Sequence, residues 1–174
     1  MSANQKVGKT NYADFVYMFH VLDYCYEHPE QCSAHIIYFS LEESVQKVIE
    51  RYMSHLLFKL NKIRISPQDL RSTSIDEPVP QAILDLLESD EYKHRLAFFE
   101  ACVQFETEDT NPTGILRVCE KYAKSVGKYK SRKQRSAGGS GKEVEIFESY
   151  QQNDPNHYKI IIVDHIGLIT RRAA

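Results

Sequence analysis

The sequence predicts an α/β fold built on a parallel sheet, and three observations predict it. Strand-like runs alternate with helix-like runs along the 174 residues, which is the pattern of βαβ units. Tyr158 to Asp164 is the clearest strand, with the β-branched run Ile160, Ile161, Ile162 and Val163 ending in a carboxylate. Ala3, Asn4, Gln5, Lys6, Val7, Gly8, Lys9 and Thr10 match A/G-x-x-x-x-G-K-[ST], a phosphate-binding loop that opens a helix in such folds.

Taken in order, Asn11 to Tyr26 follows the loop as a helix that reads as apolar on nearly all sides, as in a buried helix. Glu27 to Ser33 is a polar turn. His35 to Ser40 is continuous and apolar enough to be a strand buried on both faces. From Ser44 to Leu60 the set Val45, Val48, Ile49, Tyr52, Met53, Leu56, Leu57 and Leu60 falls on one helical stripe. Ser66-Pro67 reads as a cap with proline at the first helical position. A helix is expected from about Pro80 to Leu87, and a weak strand over Val103 to Glu106. Asn111-Pro112 reads as a second cap, opening a helix through Tyr122.

From about Val126 to His157 regular patterning dissolves. Residues 127–157 are expected to be a flexible basic and Gly-Ser insertion, centred on Ser136-Ala137-Gly138-Gly139-Ser140-Gly141. The basic run from Lys121 to Arg135 has two readings, a nucleic-acid contact or a solvated helix end running into a loop.

Composition bounds the function classes. The length fits one domain, and apolar and charged contents of 42% and 26% are ordinary for a globular protein. A formal net charge of −2 argues against coating nucleic acid by bulk charge, though not against a local basic patch. No membrane-length apolar run and no signal-peptide pattern is present. Cys25, Cys32, Cys102 and Cys119 show no C-x-x-C pair and no zinc spacing, so they are read as reduced thiols of a cytosolic protein.

The chemistry follows from the loop. Backbone N–H groups and the start of the helix would hold phosphates, and Gly8 would let the backbone approach them. Lys9 would reach the outer phosphates and the Thr10 hydroxyl would ligate Mg²⁺. Asp164, at the end of its strand, would hold Mg²⁺ through water, against the plainer reading of a turn residue. Glu42, just past the strand ending Phe39-Ser40-Leu41, would polarise the attacking water. The plainer reading, that Glu42 and Glu43 complement the next helix, suits Glu43 better.

With these motifs in order, the chain resembles the RecA-like ATPase domain of hexameric replicative DNA helicases of the DnaB type. Ala3 to Thr10 is similar to that family's loop, Phe39-Ser40-Leu41-Glu42-Glu43 to its F-S-L-E-M, and Asn111-Pro112-Thr113-Gly114 to its T-P-T-E cap. Val163-Asp164-His165-Ile166-Gly167-Leu168 is similar to its I-D-Y-L-Q-L. The resemblance spans essentially the whole chain. It implies a P-loop NTPase with ATP and Mg²⁺ as cofactors, Glu42 and Lys9 as catalytic residues, residues 3–10 on the nucleotide, and Thr10 and Asp164 on the metal. It further implies single-stranded DNA as partner, a hexameric ring, and a place in bacterial or phage replication in the cytoplasm. His165 and Gly167 depart from the family's Tyr and Gln, which puts in doubt the coupling of nucleotide to DNA, and Gly114 replaces an acid.

The resemblance also implies a truncated domain over residues 1–174, lacking the strand before the loop and the strands after Asp164. It places the strands near 103–106, 35–40 and 159–164 side by side, with the last an apolar edge and the fragment poorly stable alone. The alternatives kept are a recombinase-like DNA-dependent ATPase and a non-catalytic nucleotide-binding remnant.

Overall fold

The computed structural model describes residues 8–41, 43–71, 78–108, 111–135 and 143–164. The chain is α/β, with a three-stranded parallel sheet flanked by helices. The helices are α1 (Lys9–Asp14), α2 (His20–Glu27), α3 (Val45–Asn61), α4 (Gln81–Leu87), α5 (Asp90–Cys102) and α6 (Pro112–Val126). The strands are β1 (Ser33–Ser40), β2 (Val103–Glu106), β3 (Gly127–Arg135), β4 (Glu143–Gln152) and β5 (His157–Asp164). The sheet order is β2-β1-β5, the order that the resemblance implies for these strands.

β1 is the centre. Ala34 and the run Ile36 to Ser40 are buried, so an apolar run with no alternation is what a strand covered on both faces needs. Its register pairs Ile36 with Val103 and Ile160, and Ser40 with Asp164. The three strands therefore end level, with Glu106, Ser40 and Asp164 at one edge. The chain leaves β1 for β2 on one side and returns to β5 on the other. Open parallel sheets bind ligands at the carboxyl ends of the strands where the strand order reverses, here between β1 and β5.

The first helical run is continuous from Lys9 to Glu27, with a π-helical turn over Phe15–Phe19 joining α1 to α2. It is not apolar all round. Asp14, Met18, Leu22 and Cys25 form the buried stripe, while Tyr12, Phe15, Tyr17 and Tyr24 are exposed. The apolar residues of this run exceed what one face can bury.

α3 buries Val48, Tyr52, Leu56 and Leu57, the helical spacing that the sequence shows. The Tyr52 ring stacks on Phe99 of α5 at 4.5 Å between centroids. Met18, Leu22, Ile36, Tyr38, Val103 and Ile162 close the same core. Each such side chain contributes about 1.5–3 kcal/mol on burial. At Ser66-Pro67 a single 3₁₀ turn, Asp69–Arg71, replaces the expected helix start. There the Ser66 hydroxyl accepts from the Asp69 N–H at 3.1 Å and donates to its carboxylate at 2.7 Å, closing the turn locally. Asn111 caps α6 as expected, its side chain accepting from the Gly114 N–H at 2.9 Å.

Where the sequence shows no pattern, the structure has an antiparallel ribbon. β3 and β4 pair from Gly127–Gln152 to Arg135–Glu143, with an irregularity between Lys130 and Ser131. The Gly-Ser tract 136–141 lies outside the described residues. At the ribbon's foot Gly127 is required by space: a Cβ there would overlap the Tyr150 ring and come within 2.7 Å of the Gln151 carbonyl. Among the described residues no helix is long and apolar enough to cross a membrane.

Candidate functional site

The start of α1 and the end of β5 meet. The Thr10 hydroxyl donates to the Asp164 carboxylate at 3.0 Å across 154 residues of sequence. Two features bring them together. The helical run that α1 opens starts at the sheet's carboxyl edge and packs on the core through Met18 and Leu22, and β5 is fixed in register with β1 up to Ser40–Asp164.

Gly8 precedes α1 in the left-handed region, φ 76°, and its carbonyl accepts the first helical bond from Tyr12 at 2.9 Å. A Cβ at Gly8 would meet nothing within 4 Å. The glycine is therefore required here by backbone conformation, since a left-handed residue with a side chain is strained. The first turn of α1 carries no acid, so the helix's positive end is not neutralised from within.

The residues expected to form the site are thus met in part. Gly8, Thr10 and Asp164 are at one edge. Ala3, Asn4, Gln5, Lys6, Val7 and Glu42 lie outside the described residues, as does the Lys9 side chain. Lys9 is the first residue of α1. Glu43, next to Glu42, accepts from the Arg51 guanidinium, and its carbonyl accepts from the Ser40 hydroxyl.

The site includes two residues that sequence reading passes over. Asp14, one turn after Thr10, is completely buried. Arg51 of α3 donates to it through Nε at 2.8 Å and approaches through Nη2 at 2.6 Å. Arg51 thereby ties α1 to the segment after β1. Burial raises the Asp14 carboxyl above its usual range, and the charge of Asp164 raises it further, while Arg51 pulls the other way. The Tyr38 phenol is raised by burial and by the same two carboxylates. Thr10, Asp14, Tyr38 and Asp164 thus share one electrostatic neighbourhood, with Arg51 as its counter-charge. The signal for Asp14 in the sequence is an acid inside an otherwise apolar helix.

Two clefts border this network. A polar one of about 360 Å³ is lined by Asn11, Glu43, Lys47, Arg51 and Arg71. An apolar one of about 510 Å³ has walls from Phe15, Phe19, Phe58, Ile63 and Ile65. Arg51, His55 and Arg64 also line the apolar cleft. The oxygen pair of Thr10 and Asp164 suits a hard cation. Among the described residues there is no group of three or more His, Cys, Asp or Glu able to hold a metal unaided. A Mg²⁺ at this edge would draw its other ligands from water and phosphate oxygens.

No family model, curated protein or solved structure matches the chain.

Proposed function

We propose that the chain binds ATP–Mg²⁺ at the carboxyl edge of its sheet and belongs to a RecA-like motor domain that hydrolyses ATP to move on single-stranded DNA. The observation that carries this reading is the Thr10–Asp164 contact. A glycine-led helix start and a strand-ending carboxylate, far apart in sequence, meet at the sheet's carboxyl edge, as the metal-holding groups of a P-loop fold would. The strand order β2-β1-β5, with the order reversing beside that contact, supports the same reading.

In this reading residues 3–10 surround the phosphates and Lys9 offsets the charge that develops on them. Thr10 and Asp164 would hold Mg²⁺, which would supply charge to offset that of the phosphates. Glu42 orients the attacking water, and Arg51 holds its neighbour Glu43. The full motor would act as a ring of identical subunits.

The test is Mg²⁺-dependent ATP hydrolysis with Lys9→Ala and Glu42→Gln alongside. Lys9→Ala should lose nucleotide binding. Glu42→Gln should keep binding and lose turnover. Normal hydrolysis by both variants would remove these roles.

A further inference from the structure

We infer that the β3–β4 ribbon is a single-stranded nucleic-acid contact, through one face carrying Lys128, Lys130 and Arg132. The choice of nucleic acid rests on the motor reading above; the surface itself follows from the ribbon's geometry.

Alternation along β3 sorts its charges between two faces. On one face Tyr129 meets Phe147 and Tyr150, at 5.9 and 5.2 Å between ring centroids. That face also holds the acids: Ser131 donates to Glu145 at 2.5 Å, and Lys133 lies 3.6 Å from Glu143. It is internally neutralised. The other face carries Lys128, Lys130 and Arg132, whose cross-strand partners are Gln151, Ser149 and Ile146. None of those partners is an acid, and all six residues are exposed. Among the described residues none of the three cations forms an ion pair. Glu148, the extra residue at the irregularity, forms none with them either. By contrast Arg51, Arg71 and Arg95 are each held by a carboxylate.

Three unneutralised cations on alternate residues of one strand stand about 6.6 Å apart. That repeat is close to the spacing of successive phosphates in an extended single strand. The register is rigid at its base. The Tyr150 hydroxyl donates to the Ala123 carbonyl at 2.8 Å and accepts from Lys159 at 2.7 Å. The Asn153 N–H donates to the Val126 carbonyl at 3.0 Å. A fixed cationic row tracks a backbone without reading bases, which is the electrostatic part of single-strand binding.

The experiment is equilibrium binding of fluorescein-labelled oligo-dT to the full chain, without nucleotide, over a salt series. The variant K128Q/K130Q/R132Q is compared with a charge-matched control, K93Q/K124Q/K133Q. The row variant should lose about tenfold or more in affinity, and its salt slope should fall by about 2, at about 0.7 for each phosphate contact. The control should bind like the wild type. Equal losses in both variants would reduce the effect to bulk charge and overturn the inference, as would an unchanged row variant. Tighter wild-type binding to anionic lipid vesicles or polyglutamate than to oligo-dT would also overturn it. Mg²⁺–ATP binding is measured on the same preparations. Its absence, with the row variant still separated from wild type on oligo-dT, would remove the nucleotide reading and leave the ribbon contact standing.

Discussion

The Thr10 hydroxyl and the Asp164 carboxylate stand 3.0 Å apart, with the whole described chain between them. A hydroxyl and a carboxylate so placed hold each other until a cation takes both. Under the proposed function, Thr10→Ala and Asp164→Asn each raise the Mg²⁺ concentration needed for nucleotide binding by about 10–100-fold, the usual effect of disturbing a metal's oriented ligands. Thr10→Ser keeps the oxygen and should stay near wild type. Titration of a fluorescent ATP analogue at fixed protein and rising Mg²⁺ reads this directly. An unchanged metal requirement in both variants removes these two residues from the site.

Arg51 joins Asp14, which is fully buried, to Glu43, and is itself 13% exposed. Removing one partner of such a pair leaves a charge in a low-dielectric interior, so Arg51→Gln should cost about 3–5 kcal/mol. Replacing both, as Asp14→Leu with Arg51→Met, should restore most of that, because no buried charge is left at Asp14. Urea melts of the three proteins decide it. A loss under about 1 kcal/mol for Arg51→Gln would mean that the pair is solvated.

The sheet was legible because its physics is local to each strand. β1 and β5 are apolar runs, and α3 has an uninterrupted stripe through Val48, Tyr52 and Leu56. α5 was missed because its buried positions are Tyr92, Arg95 and Phe99. The stripe passes through an arginine, whose burial is offset by Glu91, which bonds it at 2.7 Å, by Asp23 at 3.6 Å and by the Tyr26 ring 4.4 Å from its guanidinium carbon. The ribbon was missed for a related reason. β3 reads Gly127-Lys128-Tyr129-Lys130-Ser131-Arg132-Lys133-Gln134-Arg135, and from Lys128 to Gln134 it is exposed on both faces. Backbone bonds to β4 hold it, and β4 contributes the acids that answer one of its faces. Pairing partners are tertiary facts that neither strand carries alone.

The same holds at the site. Thr10 and Asp164 were legible because a hydroxyl after Gly-Lys and an acid ending a strand are motif positions. Asp14 was not, since its meaning depends on Arg51, which is 37 residues away. The first helix misled in the other direction. Its Ala13, Phe15, Val16 and Val21 made it read as buried all round, yet Phe15 is exposed and the other three are only half-buried.

His157 gives the start of β5 a pH dependence. Its ring bonds the Ser33 hydroxyl at 2.7 Å and the Tyr122 hydroxyl at 2.6 Å. Burial lowers its pKa below the ordinary 6.5, and His35 and Lys159 lower it further, while Asp154 opposes them. A depressed histidine favours its neutral form when folded. Its contribution is therefore complete above 6.5 and is lost as pH falls through the lowered value. Amide protection factors, which are the intrinsic exchange rate at each pH divided by the observed rate, should fall at the start of β5 and the foot of the ribbon between about pH 7 and about pH 5. His157→Gln, which does not titrate, should flatten that dependence. A profile as steep in the variant would assign it to another group.

β5 is one of the sheet's two outer strands among the described residues. Its Ile161 is 51% exposed, although its register partner Ile37 is buried. An apolar outer strand next to a covered one invites pairing with a second chain. Ile161→Lys puts a charge on that strand, where it blocks pairing, and it removes little buried area. Sedimentation velocity over a concentration series should show the wild type associating as concentration rises and the variant remaining monomeric. The melting stability should change by no more than about 0.5 kcal/mol, as for a surface position. If Ile161→Lys instead unfolds the chain, the Ile161 side chain is part of the core, and the outer face of β5 is closed by the chain itself.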